Sequence, residues 1–166
     1  MANTAKYGFM VVQDYMGVDC IPHSYPVAAS QTIAQNDPVI LNSDGRIEIA
    51  VAASSSQLIG FAAHASVSKT VGTGIKVYDD PNVVVEAMAS TGALADTYTT
   101  RSTAAAFDLV GITGAFYVNT AASAQDLFKC VGVSKDPVTG VDSEVGASQL
   151  KYWKISPAAH VYGTIA

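Results

Sequence analysis

Short β-prone segments separated by turn residues recur along most of this chain, and their spacing limits what it can fold into. About ten such segments follow one another at intervals of roughly 8–12 residues, as in antiparallel sandwiches and barrels. Helix signals are thin and fall at 93–96 and 121–127. The sequence therefore predicts an all-β fold, an antiparallel β-barrel or β-sandwich with long loops and little helix.

The clearest prediction is a β-hairpin over 38–52. Its turn segment, 42–45, has the sequence Asn-Ser-Asp-Gly, in which Gly can supply a positive φ and Asn and Asp can bond to nearby backbone. After the turn, Ile47, Ile49 and Val51 alternate with less apolar residues, as expected of a strand with one buried face.

Other strands are predicted from shorter apolar or β-branched runs. Within 57–64, Gly60 indicates a bulge or a close approach of backbone, and 79–82 (Asp-Asp-Pro-Asn) is a turn by composition. The segment 136–146 is predicted to be a long hairpin loop. The remaining strand predictions are 7–12, 74–79, 82–89, 107–110, 115–119, 128–134, 150–155 and 160–164.

The length of 166 residues fits one domain with a sizeable core, so no disulfide, metal or cofactor is needed for folding. We interpret 1–166 as a single β-rich domain, with 90–106 as its one plausible internal boundary. Cys20 and Cys130 are predicted to be buried thiols, although a pairing in an oxidising place stays open.

Composition excludes several classes of protein. Charged residues make up 14% of the chain, against about 25% in average proteins, and hydrophobic residues 49%, which excludes a disordered chain. A net charge of −5 disfavours nucleic-acid binding. No apolar run is long enough to span a membrane, and the first residues lack the apolar core of a signal peptide. We therefore expect no nucleic-acid or membrane partner, and synthesis in a cytoplasm.

No motif for catalysis or for cofactor or metal binding occurs. His23, His64 and His160 are far apart in sequence, and the pair Asp79 and Asp80 is explained by its turn. The sequence predicts no catalytic residue, no metal and no cofactor, although a triad assembled from distant positions stays open.

Two groups of aromatic residues are candidate contact sites. Tyr152 and Trp153 stand between two lysines, a combination that can stack on sugars or form a protein interface. The N-terminal arm, residues 2–9, carries Tyr7 and Phe9. We predict these four aromatic residues as interface residues, and expect deletion of 2–9 to weaken attachment to a partner without unfolding the domain.

One part of the sequence carries a family pattern: TIAQNDPVIL at 32–41, SDGRI at 43–47 and LIGFA at 58–62. It resembles small β-barrel capsid decoration (cement) proteins of tailed bacteriophages. In these, a Gly-Asp-x-Val strand start, a Gly-containing turn and an (Ile/Val)-Gly-(Val/Ile)-Ala strand recur in this order. Asn36 replaces the usual Gly, and Phe61 replaces the usual Val or Ile.

The resemblance implies a β-clip or β-tulip-like fold and a structural role without an active site. Such proteins sit on the outer capsid surface of the virion, often as homotrimers, and bridge neighbouring major capsid subunits. The expected partners are therefore the major capsid protein and other copies of this chain. Two alternatives stay open: a β-sandwich carbohydrate-binding or adhesion module of a tail fibre using Tyr152 and Trp153, and a trimeric hydrolase using Asp79 or Asp80.

Overall fold

The computed structural model describes residues 9–14, 19–51, 58–67, 70–88, 108–110, 116–119, 127–133, 144–145, 148–156 and 160. These residues contain strands and no helix, and every pairing between two strands is antiparallel. The all-β antiparallel prediction is confirmed, whereas closure into a barrel or sandwich and the single-domain interpretation stay predictions. The strands are β1 (Met10–Asp14), β2 (His23–Pro26), β3 (Thr32–Ile33), β4 (Pro38–Leu41), β5 (Ile47–Ile49), β6 (Leu58–Ala62), β7 (Ser66–Val67), β8 (Gly74–Tyr78), β9 (Val83–Met88), β10 (Asp108–Val110), β11 (Tyr117–Asn119), β12 (Phe128–Val133), β13 (Glu144–Val145) and β14 (Ser148–Ile155).

Two larger sheets organise these strands. The first sheet has the order β1-β9-β14-β12, with β13 also paired to β14, and the second has the order β2-β8-β6-β4-β5. Two-stranded pairings join β3 to β7 and β10 to β11. One core cluster contains Phe61 from the second sheet and Val85, Phe128 and Trp153 from the first. This shared core packs the two sheets against each other, because each sheet contributes an apolar face that must leave water.

Strand β6 is buried along its whole length, so both of its faces meet protein. Leu58 and Phe61 belong to the core shared with the first sheet, while Ile59 and Ala62 belong to a second cluster. Strict alternation would place Leu58 and Phe61 on opposite faces. A register shift opposite Val39 and Ile40 inserts one extra residue into β6, and this bulge brings the two side chains to the same face.

Gly60 sits in that bulge, and both sequence-based interpretations of it are confirmed. A Cβ atom at Gly60 would lie 1.9 Å from the carbonyl oxygen of Tyr78 on β8. Only a residue without a side chain permits this approach, because real carbon–oxygen contacts are much longer.

A tight turn at 34–37 leads into β4. Asp37 is buried and its Oδ2 accepts a hydrogen bond of 2.8 Å from the backbone N–H of Ala34. Asn36 has a φ of 66°, a left-handed conformation that Gly adopts most easily and Asn tolerates best among other residues. The Asn that departs from the decoration-protein pattern is therefore compatible with the turn.

The hairpin predicted over 38–52 is present, with Val39 opposite Ile49 and Leu41 opposite Ile47. Asn42 organises its turn, because its Oδ1 accepts from the N–H groups of Asp44 and Arg46. The predicted alternation does not extend past Ile49. Ala50 is fully buried while Val51 is 54% exposed, because β5 ends there and the Ala50 N–H turns to the Pro38 carbonyl.

Other predictions have mixed outcomes. Parts of 7–12, 57–64, 74–79, 82–89, 107–110, 115–119, 128–134 and 150–155 are strands in the structure. Within the predicted loop 136–146, β13 is a short strand, and β2, β3 and β7 were not predicted. Residues 93–96 and 121–126 lie outside the described residues. Of the predicted strand 160–164, only His160 is described, and it forms a single bridge to Leu58.

The two cysteines are both thiols, as the sequence predicts. Cys130 is buried in the core shared by the sheets, and Cys20 is half-buried against the same core. The Cys130 thiol donates to the Gly132 carbonyl at 3.5 Å.

Candidate functional site

The outer surface of the first sheet carries a row of residues that we call the Tyr152 row: Met10, Glu86, Tyr152 and Gly132. Met10 lies opposite Glu86, Glu86 opposite Tyr152, and Tyr152 opposite Gly132. Residues directly opposite one another share a face of the sheet. The row therefore crosses four strands, from the β1 edge to the β12 edge.

Exposure in this row is greatest at its β1 end. The Met10 side chain is 50% exposed, whereas Glu86, Tyr152 and Gly132 are half-buried. The Tyr152 ring lies across Gly132, since a Cβ atom there would stand 3.4 Å from Tyr152 Cδ2. A thioether and a phenol ring thus lie on one surface with the Glu86 carboxylate between them, and Met and aromatic side chains are enriched at protein interfaces.

The neighbouring row points the other way. Val11, Val85, Trp153 and Cys130 lie opposite one another in register and contact the core between the sheets. Trp153 is fully buried, and its Nε1–H donates to the Ala87 carbonyl at 3.1 Å. This corrects the prediction that Tyr152 and Trp153 form one contact surface, because adjacent residues on a strand face opposite sides.

Phe9 is a core residue and is 4% exposed. Its ring stacks on Phe128 at a centroid distance of 5.1 Å and contacts Phe61 at 5.4 Å. Phe9 is therefore not part of an exposed contact surface, because its side chain is held between the two sheets. Tyr7 lies outside the described residues.

Large apolar side chains are exposed on β1 and just before β2. Val12, the extra residue of a bulge in β1, is 45% exposed, and Ile21, just before β2, is 73% exposed. With Met10 they are three of the five large exposed apolar side chains among the described residues; the others are Val51 and Val71. Strand β1 is also an edge strand of the first sheet within the described part of the chain. Edge strands with apolar side chains are common contact points for other chains.

A second cluster, the Asp79 cluster, joins the start of β2 to the end of β8. Asp79 Oδ1 lies 2.7 Å from His23 Nδ1, and the Tyr25 hydroxyl donates to Asp79 Oδ2. The His23 side chain is 66% exposed and that of Asp79 is 11% exposed. The turn prediction for 79–82 is confirmed by the bond from the Val83 N–H to the Asp80 carbonyl, yet Asp79 also ties two strands together.

Sequence reasoning missed the Asp79 cluster because His23 and Asp79 are 56 positions apart. The opposite orientation of Tyr152 and Trp153 could have been predicted from the sequence, since strand alternation alone places neighbouring residues on opposite faces. His160, treated as one of three scattered histidines, is buried beside this turn.

Burial lowers the pKa of His160 from its ordinary value, while the backbone at Ile59 and Asp79 and the carboxylates of Asp79 and Asp80 act in the opposite direction. Among the described residues, no three His, Cys, Asp or Glu side chains are grouped so that they could hold a metal ion. His23 with Asp79 is an imidazole beside an orienting carboxylate, which is one part of a catalytic constellation that also requires a nucleophile.

No protein-family model matches this chain, and neither does any curated protein. In the part of the chain that the structure describes, no helix is long and apolar enough to cross a membrane.

Proposed function

We propose that this protein is a structural virion component that binds the outer surface of a phage capsid and stabilises contacts between major capsid subunits. Its partners are the major capsid protein and other copies of the chain, arranged as a homotrimer. It works by binding, without catalysis, nucleic acid or membrane.

The observation that carries the proposal is the apolar edge of the first sheet. Met10 and Val12 are 50% and 45% exposed on an edge strand, and the half-buried Tyr152 lies two strands away in the same row as Met10. Covering such an edge removes apolar surface from water, which stabilises a complex by roughly 25 cal/mol per Å² before the costs of association. Many copies on one particle multiply a modest affinity for each site.

The resemblance of 32–62 to capsid decoration proteins gives the proposal its class of partner. In this chain the residues of that pattern form one continuous unit, with β4 paired to both β5 and β6. Asp37, Asn36 and Gly60 each have a defined backbone task in it. These residues shape the turn before β4 and the bulge of β6. In the proposal, the exposed edge supplies the surface for binding.

Trp153 is fully buried, so it cannot stack on a sugar as the carbohydrate-binding alternative requires. The hydrolase alternative needs a nucleophile next to the Asp79 cluster. No specific observation supports the carbohydrate-binding module or the hydrolase.

The proposal is tested by cosedimentation, in which the purified protein is mixed with expanded capsids of the phage that encodes it. We expect the parent protein to pellet with capsids in a saturable ratio. Met10→Asp and Tyr152→Ala should each lower occupancy about tenfold or more, as expected for contacts worth about 1.4 kcal/mol or more. Val71→Asp is the matched control, since Val71 is another exposed apolar side chain, at 43% exposure.

If the parent protein fails to pellet with capsids, the proposed function is wrong. If it pellets but Met10→Asp, Tyr152→Ala and Val71→Asp all bind equally well, the function stands and the assigned surface is wrong. The contribution of the N-terminal arm is tested by deleting residues 2–8, because a deletion through 9 would also remove a core side chain.

A further inference from the structure

The two edges of the second sheet carry features that discourage pairing with another chain. On the β5 side, the Ala28 N–H donates to the Ile47 carbonyl at 2.9 Å. On the same strand, the Ile49 N–H donates to Gln31 Oε1 at 3.2 Å. On the other side, β2 is four residues long and ends in Pro26, which has no N–H to donate.

The first sheet has two open edges in the part of the chain that the structure describes. Strands β1 and β12 stand at the ends of its order, β1-β9-β14-β12, and each neighbouring pair in that order is antiparallel. An edge strand presents unpaired N–H and C=O groups to a chain that aligns with it. Because the four strands alternate in direction, β12 of a second copy placed beside β1 in the same orientation continues the antiparallel order.

The charged residues of this sheet are divided by sign. Strands β1 and β9 carry Asp14 and Glu86 and no basic residue. Strands β12 and β14 carry Lys129, Lys151 and Lys154 and no acidic residue. Lys129 and Lys154 occupy directly opposite positions, where like charges disfavour each other and an added carboxylate is favourable. The sheet is therefore acidic toward its β1 edge and basic toward its β12 edge.

We propose that copies of this chain bind one another head to tail, with β1 of one copy beside β12 of the next. The inference rests on the proposed function, in which copies of the chain bind one another, and it names the contact that they use. Charge favours this order over a two-fold contact, because pairing β1 with β1 brings two copies of Asp14 together and pairing β12 with β12 brings two copies of Lys129 together. Head-to-tail contacts form a ring when their rotation closes.

The register of the sheet brings the opposite charges to nearly the same level. Trp153 lies opposite both Val85 and Cys130, which defines one row across the sheet. From that row, Asp14 lies two rows and Lys129 one row further in the same direction. An unstaggered contact therefore places Asp14 of one copy within one row of Lys129 of the next. Edge pairing uses backbone groups in the plane of the sheet, so the Tyr152 row stays free to face the capsid.

Sedimentation velocity of the purified full chain, without capsids, tests this contact. We expect the parent protein to form oligomers, and Asp14→Lys and Lys129→Glu each to weaken association about tenfold or more, because each places like charges at the contact. An equimolar mixture of the two variants should regain association, since Asp14 of one variant then meets Lys129 of the other. Asp44→Lys and Lys76→Glu make the same changes of charge at exposed positions of the second sheet and its turn, and should associate like the parent.

A parent protein that stays monomeric at about 100 μM overturns the proposal. A mixture that associates no better than its two components also overturns it, because a two-fold contact gives that result. Equal weakening by the control variants would assign the effect to net charge and contradict the contact. If a charge-reversal variant does not fold, Asp14→Asn and Lys129→Gln replace the pair. Their association should depend less on salt than that of the parent between about 0.05 and about 0.5 M NaCl, and an equal dependence contradicts the proposal.

The same preparations separate this contact from the capsid role. A parent protein that is monomeric but pellets with capsids refutes the head-to-tail contact and leaves the capsid role intact. A parent protein that forms the expected oligomers but does not pellet with capsids supports the contact and refutes the capsid role.

Discussion

Gly60 and Tyr78 make a backbone contact so close that no side chain fits between them: a Cβ atom on Gly60 would lie 1.9 Å from the Tyr78 carbonyl oxygen. The contact lies where β6 pairs with β8 and where the bulge of β6 turns Leu58 and Phe61 to the same core. Gly60 thus stands where β6 changes the side to which its side chains point.

Gly60→Ala should therefore destabilise the protein by more than about 3 kcal/mol, because the backbone of β6 or β8 must move in a packed region. Chemical denaturation followed by tryptophan fluorescence measures the free energy of unfolding. Gly45→Ala is the control: Gly45 has a φ of 71° but open space around it, so only about 1–2 kcal/mol of backbone strain is expected. Similar losses in both variants would contradict the close contact.

Phe9→Ala should destabilise the protein by about 3–5 kcal/mol, since Phe9 stacks on Phe128 inside the shared core. Met10→Ala, one position along, should change stability by about 0.5 kcal/mol or less because Met10 is half exposed. Thermal or urea unfolding of the two variants distinguishes them. A small effect of Phe9→Ala would show that the start of the chain is dispensable for the fold.

Truncation of Trp153 should lower stability, whereas truncation of Tyr152 should lower binding. Trp153→Ala should cost about 3–5 kcal/mol of stability, and Trp153→Phe about 1–3 kcal/mol, because it leaves the Ala87 carbonyl without its indole donor. Tyr152→Ala should cost about 1 kcal/mol or less and act mainly on binding. Paired unfolding and capsid-binding measurements test this division, which fails if Trp153→Phe lowers binding while leaving stability intact.

The two hydrogen-bond partners of Asp79, Tyr25 and His23, should contribute unequally to the stability of the protein. Tyr25→Phe removes a half-buried hydrogen bond to a carboxylate and should cost about 1–2 kcal/mol. His23→Gln should cost less than about 1 kcal/mol, because the His23 side chain is 66% exposed and its contact with Asp79 is screened by water. Urea unfolding at about pH 7 measures both. A larger loss in His23→Gln than in Tyr25→Phe would reverse this ranking.

Local sequence predicted the hairpin well, because its turn chemistry and the apolar flanks act over neighbouring residues. Asn42 and Gly45 carry the turn, and Val39 pairs with Ile49 as the pattern requires. Strands as short as β3 and β7 escaped prediction because two residues carry too little periodicity. For the candidate site, the sequence indicated Tyr152 as an interface residue. It also indicated Trp153 and Phe9, whose side chains are buried in the core.

By itself, the sequence determined the class of fold, since β-branched runs, turn residues and a low charged share are local or compositional properties. The tertiary structure alone decided which of those strands meet. It brought Asp79 to His23 and Tyr25, and His160 to β6, across long sequence separations. It also decided which aromatic residues are buried. Burial depends on what packs against a face, and that partner comes from distant parts of the chain.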